Sequence, residues 1–141
     1  MTVLIGTNVI LDYILKQEPG AAAAKACLDD LVSRKIKIWI PVSALTDIHY
    51  VSMQSRRDTF AARVIVSKML NAFQVVTVDK ADCIKALELD MEDYEFALIA
   101  TCAKKLKAAH IITRNTEGFH NSPVPAITPE EWITSYSGKG V

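Results

Sequence analysis

Two polar tracts in this chain stand where chemistry is expected. Gly6-Thr7-Asn8 follows the apolar run Val3-Leu4-Ile5, and Thr113-Arg114-Asn115 follows Ile111-Ile112. Each closes a short strand of the fully apolar kind that suits a parallel sheet covered on both faces. In such sheets ligands bind just outside the carboxyl ends of the strands. Thr7, Asn8, Thr113 and Asn115 can act there as turn and helix-cap groups or as phosphate contacts, and an ordinary strand-to-helix turn is the alternative for Gly6 to Asn8. Asp47 lies among Leu45, Ile48 and Val51, so its charge needs a partner or a polar pocket. Asp93 fits a helix-start acid, Glu117 a loop carboxylate, and Asp12 a solvated or paired residue one and a half turns into the first helix. His49, His110 and His120 are scattered and read as structural or exposed.

The elements that position these groups alternate along the chain. Val9, Ile10, Tyr13 and Ile14 recur with helical spacing after the first strand. Thr7 or Asn8 is the candidate cap of that helix. Gln17-Glu18-Pro19-Gly20 breaks the pattern, and Ala21 to Ser33 resumes it. Lys35 to Ile40 reads as a second strand, parallel to the first and stopped by Pro41. A helix capped near Ser43 follows, then a polar hinge over residues 54–58 and a helix from Thr59 to Asn71. Phe73 to Val78 forms the third strand, and Asp79 caps a helix running to about Leu89. Asp90 to Asp93 opens a deeply buried helix through Leu106, and Ala109 to Ile112 is the fourth strand. A short extended piece over 121–127 leads to a last helix opened by Thr128-Pro129-Glu130-Glu131. The order predicts a three-layer α/β/α fold with a central, mainly parallel sheet of four to five strands. Residues 1–134 are expected to form one domain and 135–141 a frayed tail. Gly6 to Asn8, Ser43 to Asp47, Asp93 to Ala97 and Thr113 to Phe119 then build one edge.

Charge and composition narrow the function. The chain has 141 residues, 16 Lys+Arg against 16 Asp+Glu, and a pI near 6.8. No whole-molecule basic field recruits nucleic acid, so any RNA contact must be a local patch. Arg56, Arg57 and Arg63 are the local guanidinium cluster, read either as a solvated helix face or as such a patch. Cys27, Cys83 and Cys102 are far apart in apolar helical stretches, which predicts buried thiols in a reducing compartment. The first residues lack a basic leader, and Asn8 and Asp12 interrupt their apolar run. A cytoplasmic protein with no membrane segment is expected. No G-x-G-x-x-G or Walker loop supports nucleotide binding.

Five segments together resemble a known family. They are Val-Leu-Ile-x-Thr-Asn-Val-Ile-Leu-Asp12, Ser-x-Leu-Thr-Asp-Ile-His-Tyr50, Asp-Tyr-Glu-x-Ala-Leu98, Thr-Arg-Asn-Thr-Glu-x-Phe119 and Ser-Pro-Val-Pro-Ala-Ile-Thr-Pro-Glu-Glu131. In this order they are similar to the PIN-domain proteins, which include the VapC-type toxins of bacterial toxin-antitoxin pairs, over residues 1 to about 133. The resemblance implies an endoribonuclease fold using Mg²⁺ or Mn²⁺ in a pocket of carboxylates, often a homodimer, with an antitoxin partner and an RNA substrate.

The departures bear on activity. Where the resemblance implies an Asp before Thr-Asn, before Ala-Leu and before the Phe of the Thr-Arg-Asn segment, this chain has Gly6, Phe96 and Gly118. Only Asp47 stands where that pattern has an acid. Mg²⁺ demands near-octahedral oxygen ligation, and two glycines and a phenyl ring supply no side-chain oxygen. The first expectation is therefore a PIN-like protein with impaired or lost cleavage. The second is an active ribonuclease with its metal site moved onto Asp47, Asp93 and Glu117, with Asp12 a further acid, Asp47 and Asp93 catalytic, and Thr7, Asn8, Ser43, Thr113, Arg114 and Asn115 as substrate or supporting groups. The third is a non-catalytic protein- or RNA-binding module, whose groove would use Leu28, Leu31 and Val32.

Overall fold

The computed structural model describes residues 1–136. Its sheet has five strands, β1 (Thr2–Ile5), β2 (Lys37–Pro41), β3 (Gln74–Val76), β4 (His110–Ile112) and β5 (Ala126–Ile127), in the order β3-β2-β1-β4-β5. Every pairing is parallel, with Val3 opposite Ile38 on one side and His110 on the other. Successive strands run outward from β1 in opposite directions, so the chain switches sides between β1 and β4, and the crevice lies outside Ile5 and Ile112.

Among the described residues seven α-helices cover the sheet: α1 (Thr7–Leu15), α2 (Ala21–Ser33), α3 (Val42–Arg56), α4 (Thr59–Ala72), α5 (Lys80–Leu87), α6 (Tyr94–Lys105) and α7 (Pro129–Tyr136). The side-chain period of two divides β1 between two cores. Val3 and Ile5 pack with Ile10, Leu31, Ile48 and Trp132. Leu4 faces the other way, with Ile111, Ala100, Cys102 and Phe119. This is the three-layer α/β/α arrangement that the alternating apolar runs predict.

Several helix starts differ from expectation. The N-cap of α1 is Gly6, with no side-chain cap bond, so Thr7 and Asn8 are the first helical residues and not caps. Pro41, in extended backbone, precedes α3, and Ser43 lies inside its first turn. The buried helix begins at Tyr94 rather than within Asp90 to Asp93, because the Asp93 carboxylate accepts from Phe96 N at 3.1 Å and fixes the start there. Two caps form as the sequence predicts. Asp79 and Asp82 make a reciprocal capping box on α5, and Thr128 and Glu131 make another on α7 at 3.0 and 2.9 Å.

Leu28 and Leu31 are buried in the core, so the groove expected with Val32 does not exist; Val32 alone of the three is exposed. Their apolar stripe is consumed by α7, which packs along α2 through Trp132 Nε1 donating to Asp30 at 2.8 Å. Helix α7 continues through Tyr136, which stacks on Trp132 at 4.1 Å. The rest of the expected tail, 137–141, lies outside the described residues. Cys27 and Cys102 are buried as expected, and burial pushes their thiols up to about 12 and about 11. Cys83 is only half-buried. Among the described residues, no helix is long and apolar enough to cross a membrane.

Candidate functional site

Outside the switch point lies a cleft of about 340 Å³. Its strand edge is built by Gly6 and Thr113. Gly6 N donates to Ile112 O at 2.9 Å, and Thr113 N donates to Ile127 O at 2.9 Å, so both are fixed by the sheet. One wall is α3, which presents Asp47 and Tyr50 at i and i+3 on one face. The facing wall is α6, which presents Glu95 and Phe96.

The turn after β4 uses up most of its polar groups. Thr113 Oγ1 accepts from Asn115 N at 3.1 Å, and Asn115 Oδ1 accepts from Gly118 N at 3.1 Å. Asn8 Oδ1 accepts from Arg114 N at 3.4 Å and ties α1 to the same turn. These residues act in this structure as turn groups. The Arg114 guanidinium turns to Asp12, Nε to Oδ2 at 2.7 Å, and Asp12 is buried beneath it. The chain reversal before α2 makes room for this pair: a Cβ on Gly20 would overlap the Asp12 carboxylate.

The floor of the cleft is aromatic. Phe96 stacks on the buried Phe119 with ring centres 4.8 Å apart and planes at 23°. A Cβ on Gly118 would overlap Cε2 and Cδ2 of Phe96, so the ring occupies the volume a side chain at 118 would take. Gly6 is different. A Cβ there would make only ordinary contacts at 3.5 Å, with Thr113 and the Ile112 carbonyl.

Of the residues singled out from sequence, the cleft gathers Gly6, Thr7, Asn8, Asp47, Phe96 and Thr113. Asp93 does not line it, because its carboxylate is spent on the α6 cap. Glu117, exposed on a 3₁₀ turn (Glu117–Phe119), does not line it, nor do Ser43, Arg114 and Asn115. Glu95 is the carboxylate that sequence reasoning passed over. With the helix starting at Tyr94, Glu95, Phe96 and Ile99 share one face, and the Asp-Tyr-Glu run carried that signal once the cap was placed.

Asp47 and Glu95 are both exposed, without a hydrogen-bonding or ion-pairing partner among the described residues, and no Lys or Arg lines the cleft. Two carboxylates on opposite walls, a glycine and a phenyl ring do not fit a Mg²⁺ or Mn²⁺ cage, which needs several converging oxygens. Among the described residues, no three His, Cys, Asp or Glu side chains gather into a candidate metal site.

Comparison with known proteins places this geometry in a family. The PIN domain profile matches residues 2–117. Ribonuclease VapC1 of Aquifex aeolicus is 24% identical over 140 residues, covering 96% of this chain and 95% of that protein. Among solved structures, VapBC2 from Rickettsia felis, bound to a DNA fragment from its promoter, superposes with a TM-score of 0.69 at 18% identity, over 91% of this chain and 98% of that one. VapBC-1 from nontypeable Haemophilus influenzae gives 0.68 at 15% identity, over 92% and 99%. At these identities the structures bear on the fold.

Proposed function

Since the chain belongs to the PIN-domain family, we propose that it is a VapC-like protein of a toxin-antitoxin pair in which metal-dependent RNA cleavage is impaired or lost. The observation that carries this is the Phe96 ring. It fills the volume of any side chain at 118 and puts an apolar ring, stacked on Phe119, where the family resemblance implies an acid. An apolar ring in that place excludes water and offers no ligand to a hard cation. Asp47 and Glu95 remain, too few to hold Mg²⁺ or Mn²⁺ and position a water for attack on a phosphodiester.

What the chain keeps in this reading is binding. A toxin-antitoxin complex from Klebsiella pneumoniae is among the solved structures it resembles, which supports an antitoxin partner. Single-stranded or structured RNA is the second partner, and a homodimer and a cytoplasmic location complete the reading. Titration calorimetry with Mn²⁺, alongside cleavage of a mixed RNA pool, tests it. The expected result is binding no tighter than a lone surface carboxylate gives, and no metal-dependent cutting. A stoichiometric site of micromolar affinity that disappears in Asp47→Ala/Glu95→Ala would instead establish a relocated metal centre.

A further inference from the structure

The cleft, rimmed by two carboxylates and no cation, repels a phosphodiester. RNA held by this chain must therefore find its cations elsewhere. A second groove, of about 670 Å³, gathers Lys16 from the end of α1, Lys25 from α2, Arg56 from the end of α3 and Lys68 from α4, against one carboxylate, Glu18. Lys25 is paired with Asp29 at 2.6 Å, whereas Lys16, Arg56 and Lys68 have no ion pair among the described residues. On a chain of formal net charge zero this is a local concentration of free positive charge. Tyr13, 39% exposed, lines the same groove and offers a ring to a base.

Helix α1 gives Leu11 to the cleft and Tyr13 to the groove, and α3 gives Val51 to the cleft and Arg56 to the groove. Of the guanidinium cluster in the sequence, Arg56 faces this groove, while Arg63 lines a separate one between α3 and α4 with Leu45 and Leu70.

We propose that the groove of Lys16, Lys25, Arg56 and Lys68 holds the phosphodiester backbone of single-stranded RNA. This rests on the RNA-binding part of the proposed function. The cations bind regularly spaced phosphates without reading sequence, and the exposed ring tolerates any base. Metal plays no part, so binding persists in chelator.

The test is fluorescence anisotropy with a 5′-labelled 12-nucleotide oligouridylate in EDTA. The variant Lys16→Glu/Arg56→Glu/Lys68→Glu is compared with Lys80→Glu/Lys104→Glu/Lys107→Glu, an equal charge change on exposed residues elsewhere. The groove variant is expected to lose about tenfold or more in affinity, and its slope of log K against log salt to flatten by about 2, for three lost phosphate contacts. The control is expected to flatten the slope little. Circular dichroism confirms folding, and Lys16→Gln/Arg56→Gln/Lys68→Gln gives the readout if charge reversal unfolds the chain. RNA binding unchanged in the groove variant, or lost equally in both, overturns the proposal and leaves the RNA-binding reading standing. No binding by the unaltered protein overturns both. Tighter, groove-dependent binding of poly-L-glutamate than of oligouridylate overturns it in favour of an acidic protein segment.

Discussion

Phe96 and Gly118 share one volume: the ring of the first lies where the side chain of the second would begin. The pair is therefore coupled, and the coupling is measurable. Gly118→Ala should destabilise the protein by about 1 to 3 kcal/mol, because Phe96 must leave its stack on Phe119 to admit a methyl group. In a Phe96→Ala background the same change should be close to neutral. Gly6→Ala, with only ordinary contacts around its new Cβ, should cost much less than Gly118→Ala. Urea midpoints of the four Phe96/Gly118 combinations give the interaction energy, and purely additive effects would remove the shared volume as an explanation.

Asp12 and Arg114 form a second coupled pair. The carboxylate is buried and the guanidinium is half exposed, so removing the two partners is not equivalent. Arg114→Ala strands a buried charge and should destabilise by about 1 to 3 kcal/mol, discounted for the exposure of the arginine. Asp12→Asn leaves an exposed cation that water solvates, and it should cost less. Gly20→Ala should be damaging with Asp12 present and milder in Asp12→Ala, where the obstructing carboxylate is gone. Equal losses for Arg114→Ala and Asp12→Asn in thermal melts would mean that burial does not set the asymmetry.

The two coupled pairs mark where the sequence stops being legible. Strands and helices could be read because apolar runs and helix caps are local signals, as at Val3-Leu4-Ile5, Asp79 and Thr128. The shared edge of Gly6 and Thr113 could be read too, since a parallel sheet sends every carboxyl end the same way. The Asp12 to Arg114 pair and the Phe96 to Gly118 overlap join segments far apart in sequence, and neither residue type requires its partner. Glu95 was missed for a finer reason. Its direction depends on the phase of α6, and Asp93, by capping that helix, both sets the phase and withdraws from the cleft. Leu28 and Leu31 were misjudged because an amphipathic stripe does not say whether its cover is another molecule or the chain's own last helix.

His110 links stability to pH. Its Nδ1 is buried without a partner, its ring meets the edge of Trp132, and Tyr136 Oη lies 3.5 Å from Nε2. Burial lowers its pKa below the ordinary 6.5. A histidine whose folded pKa is depressed favours folding only while neutral. Its contribution is complete above about pH 6.5 and is lost as the pH falls from there through the folded value. Asp82, held down by Lys105 Nζ at 2.6 Å, loses its contribution only at pH values below the usual carboxylate range. Denaturant midpoints between pH 7.5 and 5 should thus fall in the parent and fall less in His110→Phe. Parallel curves for the two proteins would assign the acid sensitivity elsewhere.

The strongest test of the altered cleft is to rebuild the acids. Gly6→Asp has room beside Thr113, but Gly118→Asp is blocked while the Phe96 ring is in place. The reversions should therefore work only together: Gly6→Asp or Phe96→Asp alone should bind Mn²⁺ weakly, and Gly118→Asp alone should chiefly destabilise. One or two carboxylates leave a divalent ion mostly hydrated, whereas the rebuilt set with Asp47 can fix its geometry and an attacking water. Loss of the stacked ring and like-charge repulsion should make the triple variant less stable by a few kcal/mol until metal is added, by about RT ln(1 + [metal]/Kd) in recovery. Calorimetry, melting curves with and without Mn²⁺ and cleavage of a mixed single-stranded RNA pool read these out, with the triple variant carrying Asp47→Ala as control. A folded triple variant that neither binds metal nor cuts RNA would show that replacing these three residues is not what separates this chain from an active nuclease.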